Sequence, residues 1–499
     1  MAWYIWGTDG TTDLAFTENV LQRFDAYGWH TATVEGGDAD LDAIEAAIRE
    51  AAASTDKPTI IALKTTIGFA SPPAGTAKAH GSPLGEAGVA ATKEALGLDA
   101  SKSFHVSEEV RMRYTEVQFR NAEHVAQWQA LFEQYSQQFP KEAAEFRRIF
   151  IEKELPPLDE IEAALPKFSA GDKATATRAL SGQVLNAVAP LVTELVGGSA
   201  DLSPSNKTEL KCSHDFAAES PEGRYIRFGV REFGMAAIGN GLASYGLVPY
   251  TATFLNFLTY AFPAVRLAAL SHVQQLFVMT HDSIGLGEDG PTHQPVEVLP
   301  LCRATPNLLT LRPADGNETS GCYLAALEHR DGPSVLCLSR QNLPHLEASS
   351  IEKTQRGAYV VKDTEGKPDL VLVASGSEVS AAVEAAAVTD KKVRVVSMPC
   401  GELFEQQEKS YRRSTLPLGV PTVFVEASSV FGLDRYAHKV IGMTTFGLSA
   451  PAKKAFEHFG LLPTQIAQQA DEFLASLQAN AADLGVDVAS LVGVLPVQL

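Results

Sequence analysis

The sequence predicts an α/β protein of mainly parallel sheets flanked by helices, in about three domains. Three observations carry that expectation. Residues 31–34 (Thr-Ala-Thr-Val) and 59–63 (Thr-Ile-Ile-Ala-Leu) read as strands on either side of an Ala-rich helix at 41–53, a βαβ unit whose strands must be parallel. Short apolar runs at Leu276 to Met279, Ser334 to Leu338 and Leu370 to Ala374 read as buried strands. Just past several strand ends come clusters of Gly and polar residues, where an open α/β sheet binds its ligands.

At 499 residues the chain has room for domains of ~150 residues each with ample core. A formal charge of -19 and a pI near 5.1 argue against a nucleic-acid or anionic-membrane surface, so any phosphate must be met by local cations. Five widely spaced cysteines form no Cys-x-x-Cys pair and read as reduced cytoplasmic thiols. No run of ~18 apolar residues suggests a membrane span.

Taken in order, the first strand pair is followed by a Gly-, Pro- and Ala-rich loop from Ile67 to Gly75 that ends in Lys78-Ala79-His80-Gly81. Such a loop is placed for ligands but equally serves as a surface connection. Residues 106 to 153 are helical and charged, broken at Pro140 and closed by Pro156-Pro157. A second α/β domain opens near Thr175, where Arg178 heads a helical run and could be a surface charge or an anion clamp. The strand at 195–198 ends in Ser199-Ala200-Asp201-Leu202-Ser203-Pro204-Ser205-Asn206. Glu232 lies near a helix start, where the dipole alone favours a carboxylate by ~0.3–1 kcal/mol. Its flanks Phe228, Phe233, Met235 and Ala236 offer an apolar setting that would raise its pKa. Phe254, Phe257 and Tyr260 recur at helical spacing, a stripe that more often marks a core face than a cofactor cage.

The densest cluster is at 280–295, Thr-His-Asp-Ser-Ile-Gly-Leu-Gly-Glu-Asp-Gly-Pro-Thr-His-Gln-Pro. Two imidazoles and three carboxylates (His281, His293, Asp282, Glu288, Asp289) share one glycine-rich loop at a strand's carboxyl end. A zinc site from His281, Asp282 and His293 has suitable ligand types, but no second metal-type cluster supports it, so no metal ligand is assigned. Further on, Arg340 follows the strand at 334–338. Ser375-Gly376-Ser377-Glu378 opens a helix in a third α/β domain, where it could bind an anion or merely cap the helix.

The 280–295 stretch, with Gly-Val-Arg-Glu-Phe-Gly-Met at 229–235, resembles the transketolase family, and the resemblance runs from about Thr8 to about Phe473. It implies a first, diphosphate-binding domain over 1–140 that is a remnant, a pyrimidine-binding domain over 141–350, a C-terminal α/β domain over 351–478, and a tail at 479–499. It implies thiamine diphosphate and Mg2+ as cofactors, sugar phosphates as substrates, and a homodimer or pairing with an intact subunit. By the same resemblance, Glu232 and His281 are catalytic. Ile67, His80, Asp201, Glu232, Phe254, Phe257 and Tyr260 contact the cofactor. His80, Arg178, Ser205, His281, Asp289, His293 and Arg340 contact the sugar phosphate. The family's Gly-Asp-Gly magnesium motif is expected upstream of Thr8-Asp9-Gly10, and neither it nor its Asn is found near Tyr4 or Trp6. The chain alone is therefore expected to bind thiamine diphosphate and magnesium weakly. A silent dimer partner, a half-enzyme and a formaldehyde-using relative are the alternatives to an ordinary cytoplasmic transketolase.

Overall fold

The structure, a computed structural model, describes residues 2–4, 6–7, 10–12 and 15–499. Thr8 and Asp9, on which the upstream magnesium motif was anchored, lie outside the described residues. The chain divides into two compact units, Met1–Leu131 and Phe132–Leu499.

The first unit holds the expected βαβ element. Strands His30–Val34 and Thr59–Thr65 pair in parallel, and Ala2–Tyr4 adds to the other side of Thr59–Thr65. Helix Leu41–Ala53 starts where the Asp40 side chain accepts a hydrogen bond from the Ala43 amide at 3.0 Å, an N-cap that satisfies one otherwise free donor. Past the strand, Asp38 fixes the loop by accepting from Thr66 N at 2.8 Å and Thr66 Oγ1 at 2.7 Å. The short helix Lys78–Gly81 carries His80, which is exposed. Helix Glu108–Gln138 buries no residue, as its charge pattern predicts, and the division between units falls within it.

The second unit contains two sheets. The larger has six parallel strands: β1 (Leu195–Ser199), β2 (Tyr225–Arg227), β3 (Val248–Phe254), β4 (Leu276–Thr280), β5 (Leu309–Leu311) and β6 (Ser334–Leu338), in the order β5-β6-β4-β3-β1-β2. Every residue of β3, β4, β5 and β6 is buried. Burial on both faces explains why β4 and β6 read as continuous rather than alternating apolar runs. The second sheet has five strands, with Tyr359–Lys362 antiparallel at one edge and the other four parallel. The segment beyond 478 is no separate tail. Helix Pro463–Leu484 runs through its start, Leu495 and Val497 are buried in the core of this sheet, and Gln498 Nε2 donates to Leu416 O at 3.0 Å.

The two sheets are joined by a buried charge cluster that the sequence did not reveal. Arg312, just past β5, has no solvent exposure. Its Nε donates to Asp282 Oδ2 at 2.9 Å, and its Nη1 donates to Glu378 Oε2 at 2.5 Å and Ser375 O at 2.9 Å. Glu426 lies 3.7 Å from the same guanidinium and takes a two-pronged pair from Arg303 at 2.6 and 2.7 Å. Burial raises the Glu426 pKa, but Arg303 and Arg312 outweigh it and hold the carboxyl down to about 2. This corrects the anion-site option for Ser375 to Glu378, because the turn wraps a cation of the chain itself. Gly376 sits at φ +56, and a Cβ there would lie 2.7 Å from Arg312 Nε, so only glycine lets the turn close on the guanidinium.

Removing one partner of a buried ion cluster leaves uncompensated charge at a cost of ~3–5 kcal/mol. Arg312→Met is therefore expected to lower the unfolding free energy of the second unit by about that amount in urea titrations. A loss under ~1 kcal/mol would mean that the cluster is solvated or protonated rather than ionic.

Candidate active site at the carboxyl edge of the six-stranded sheet

The candidate residues of the second unit follow the ends of adjacent strands. Arg340 follows β6, His281 follows β4, Phe254 ends β3, and Asp201 and Ser205 follow β1. The register places Phe254 opposite Thr280 and Thr280 opposite Leu338, so His281 and Arg340 emerge at one level from neighbouring strands. Glu232 opens α2 (Glu232–Tyr245) after β2, and β2 is three strands from β4, about 14 Å at the usual strand spacing.

Helix α1 (Thr177–Val188) is tied to the end of β6 by a reciprocal pair: Thr177 N donates to Ser339 Oγ at 3.1 Å and Ser339 N donates to Thr177 Oγ1 at 2.7 Å. That tie sets Arg178 close to Arg340. Arg178 Nη1 donates to Ser205 O at 2.9 Å, so the three residues expected to hold a phosphate lie together. Neither guanidinium has a carboxylate partner among the described residues. Burial and the neighbouring Arg340 both disfavour the charged form of Arg178, lowering its pKa. Two facing cations without a counterion, in so acidic a chain, make a site that an anion would relieve.

His281 is 4 % exposed and takes a backbone φ of +60, a conformation that costs a non-glycine residue on the order of 1 kcal/mol. Its ring stacks on Phe254 at 3.7 Å, and its Nδ1 lies 2.8 Å from Thr280 Oγ1. Burial, then the charges of Arg178 and Arg340, hold its pKa down to about 3, so the imidazole is neutral at physiological pH. The adjacent Asp282 is turned away into the Arg312 cluster, which removes it from the loop's chemistry and from any zinc set. Glu288 and Asp289 are exposed. Among the described residues no group of three or more His, Cys, Asp or Glu could hold a metal.

The aromatic residues are adjacent but not as a helical stripe. Phe254 is the last residue of β3, Phe257 closes a 3-10 turn, and Tyr260 lies in the first turn of helix α3 (Leu258–Leu270). The period of three arises because the chain turns at this point, and the buried strand before it has no alternation to betray it. Phe254 stacks with Phe257 at 5.8 Å, Phe257 meets Tyr260 at 6.2 Å, and His293 stands edge-on to Phe257 at 5.2 Å. Tyr260 is 67 % exposed, so this aromatic row is open to a flat ligand.

Around Glu232 the expected apolar setting is only partly present. Phe228, Met235 and Ala236 are buried, while Phe233 is 51 % exposed and Val230 is also exposed. Asp201, also at positive φ, is exposed. In the first unit, Ile67 is half-buried and His80 is exposed.

Sequence reasoning missed three polar residues that shape the edge. Gln294 is buried and donates to Gly287 O at 2.9 Å and Leu448 O at 3.0 Å, stapling the 280–295 loop. Thr280 and Asn206 are buried behind His281. A buried Gln or Asn inside a glycine-rich loop is itself a cue, since it must find partners.

The open aromatic row suits a flat aromatic ring such as that of thiamine diphosphate, and the unpaired guanidiniums suit a phosphorylated substrate. Comparison with known proteins agrees. Three family models match: transketolase thiamine diphosphate binding domain over 6–156, transketolase pyrimidine binding domain over 173–345, and transketolase-like C-terminal domain over 357–462. The chain is 48% identical over 478 residues to a chloroplastic transketolase of Craterostigma plantagineum, covering 93% of this chain and 91% of that one. It is 45% identical over 478 residues to transketolase 1 of Saccharomyces cerevisiae, covering 94% and 70%. Among solved structures, a Pichia stipitis transketolase in complex with sedoheptulose 7-phosphate superposes with a TM-score of 0.91 at 44% identity, over 96% of this chain and 72% of that one. A Leishmania mexicana transketolase gives 0.90 at 45% identity, over 95% and 71%. The chain belongs to the transketolase family and is a transferase.

Proposed function

We propose that this chain moves a two-carbon ketol unit from a ketose phosphate to an aldose phosphate, with thiamine diphosphate and Mg2+ as cofactors. The observation that carries the site assignment is the unpaired Arg178 and Arg340, one strand from a neutral, buried imidazole. Relatives named as transketolases along most of the chain favour this reaction over a silent partner or a formaldehyde-using relative.

Bound thiamine diphosphate supplies the carbon nucleophile and the electron sink. Glu232 would share a proton with the cofactor's aminopyrimidine ring, and Phe254, Phe257 and Tyr260 would pack against that ring. By the family resemblance Asp201 would lie beside the cofactor, and Ile67 and His80 would serve its diphosphate end. His80 also contacts the sugar. Arg178, Ser205 and Arg340 grip the substrate phosphate, which anchors the sugar and orients its carbonyl. His281 and His293 align sugar hydroxyls, and Asp289 accepts a hydrogen bond from one of them. Mg2+ is the counterion that the diphosphate requires in a protein of net charge -19. The fuller form of the proposal is a cytoplasmic homodimer acting in the pentose phosphate pathway. Supporting it, exposed apolar Val230, Phe233 and Tyr260 on and beside α2 and α3 offer a surface for a second copy. No described helix is long and apolar enough to cross a membrane.

Arg340→Ala and Arg178→Ala are each expected to raise KM for phosphorylated donors ~10–100-fold, the value of a lost charge-assisted hydrogen bond, while sparing unphosphorylated donors. Steady-state kinetics with both donor types test this, and equal losses for both would make the arginines structural. Glu232→Gln is expected to cut kcat by ~100-fold or more while leaving cofactor affinity within a few-fold. Deuterium exchange at the cofactor's thiazolium carbon that stays near the wild-type rate would remove Glu232 from proton transfer. The His281 pKa is depressed relative to the unfolded chain, so its burial is fully tolerated above pH ~6.5 and costs stability as pH falls from there toward about 3. Its ring resonances should therefore not titrate between pH 5 and 8, and a midpoint near 6.5 would contradict the buried setting.

A further inference from the structure

We infer that the five-stranded sheet takes part in the reaction: its loop at 444–451 is the platform that sets segment 287–294, with Gln294 as a positioning residue for Asp289 and His293. The inference rests on the proposal above that these two side chains meet the sugar's hydroxyls. It gives the task of holding them to a loop some 154 residues further along the chain.

The segment follows β4 of the six-stranded sheet, yet it is rooted in the other sheet. Ile284 before it and Val296 after it are both buried in the hydrophobic core of the five-stranded sheet. Val296 O also accepts from Ser429 N at 2.8 Å, at the end of strand Thr422–Ser429. Within 287–294 the buried residues are Gly287, Gly290 and Gln294, while His293 is half-buried and the others are exposed. The buried three face the loop that joins strand Lys439–Met443 to helix Ala452–His458. A Cβ on Gly287 would lie 3.5 Å from Ala450 O, and one on Gly290 would lie 3.1 Å from Ser449 Cβ. Ser449 Oγ donates to Glu288 O, the residue before Asp289.

One amide completes the arrangement. Gln294 Nε2 donates to Gly287 O at 2.9 Å, which ties the two ends of the segment, and to Leu448 O at 3.0 Å, which ties the segment to the platform. Both partners are carbonyls and can only accept, so the nitrogen's place follows from the chemistry; turning the amide over would bring three oxygens together. The oxygen, Oε1, has no hydrogen-bond partner among the described residues. It lies against Gly447, where a Cβ would overlap it, so only glycine lets the platform come this close.

The outer side of the segment belongs to the site. Asn256 Nδ2 donates to Thr292 O at 2.6 Å, and His293 stands edge-on to Phe257. His293 N and Gln294 N both donate to Gly290 O, at 3.0 and 3.1 Å, so the two residues share one turn. The side chain locked into the platform therefore sets the direction in which its neighbour's imidazole leaves. Without the lock Asp289 and His293 are free to shift, and a misplacement of ~1 Å costs on the order of 100-fold in rate.

Hydrogen exchange and steady-state kinetics of the full chain test this in two variants. Gln294→Met keeps the bulk and removes both donors; Gly447→Ala pushes on the amide from the platform's side. Each is expected to speed amide exchange in 287–294 by ~10-fold or more while β4 and strand Leu370–Ala374 keep wild-type rates. Each is also expected to lower kcat/KM for a ketose phosphate ~10–100-fold with affinity for thiamine diphosphate unchanged, and the double variant to be no worse than the worse single one. Unchanged exchange in 287–294, faster exchange spread through both strands, or losses that add in the double variant would overturn the inference. His293→Ala separates it from the site reading. Full activity in His293→Ala would sink the site reading even where exchange shows the lock. Lost activity in His293→Ala, with wild-type kcat/KM in a Gln294→Met chain whose segment has loosened, would sink the positioning role and keep the site.

Discussion

A guanidinium without access to water stays charged only where carboxylates are brought to it, and Arg312 draws them from separate parts of the second unit. Asp282 comes from the end of β4, Glu378 from the start of the helix that follows strand Leu370–Ala374 of the five-stranded sheet, Glu426 from strand Thr422–Ser429 of that sheet, and Arg303 completes the set. The cost of breaking any of these contacts fixes where the two sheets of this unit meet. It also fixes the residue after His281, so the imidazole leaves β4 in its left-handed backbone conformation with no freedom to turn its neighbour toward solvent. One constraint thus settles both the packing of the five-stranded sheet on its neighbour and the start of the loop that carries the chemistry.

Charge at the edge is arranged against the average of the chain. A protein of net charge -19 repels phosphates in general, yet at the ends of β1 and β6 it gathers two guanidiniums and spends no carboxylate on them. Their field reaches His281 and reinforces burial in keeping it neutral. Attraction for an anion and a proton-accepting imidazole are therefore one arrangement: the cations that would draw a phosphate also keep the ring from binding a proton.

Much of this edge was legible in the sequence because strand ends are legible. Ser334 to Leu338 followed by Arg340, or Leu276 to Met279 followed by His281, places a side chain at the carboxyl edge without any knowledge of its neighbours. What was not legible depends on which strand lies beside which. The strand Val248–Phe254 was overlooked because full burial erased alternation, and its last Phe then passed for a helix position. Asp282 counted as loop chemistry until Arg312, thirty residues on, was seen to claim it. Asn206 and Thr280, seventy-four residues apart, form a hydrogen bond that no spacing rule predicts. Phe233, read as part of the apolar setting of Glu232, is exposed although it shares a helix face with the buried Ala236, so helix spacing alone does not foretell its exposure.

The central claim, that Arg178 and Arg340 receive a sugar phosphate while His281 faces the sugar's hydroxyls, is tested most directly by a crystal structure of the chain with a ketose phosphate, thiamine diphosphate and magnesium. The account predicts phosphate oxygens within ~3 Å of both guanidiniums and the bound sugar within hydrogen-bond reach of the His281 ring. A phosphate bound elsewhere, with the two arginines uncontacted or paired to carboxylates of the chain, would contradict it.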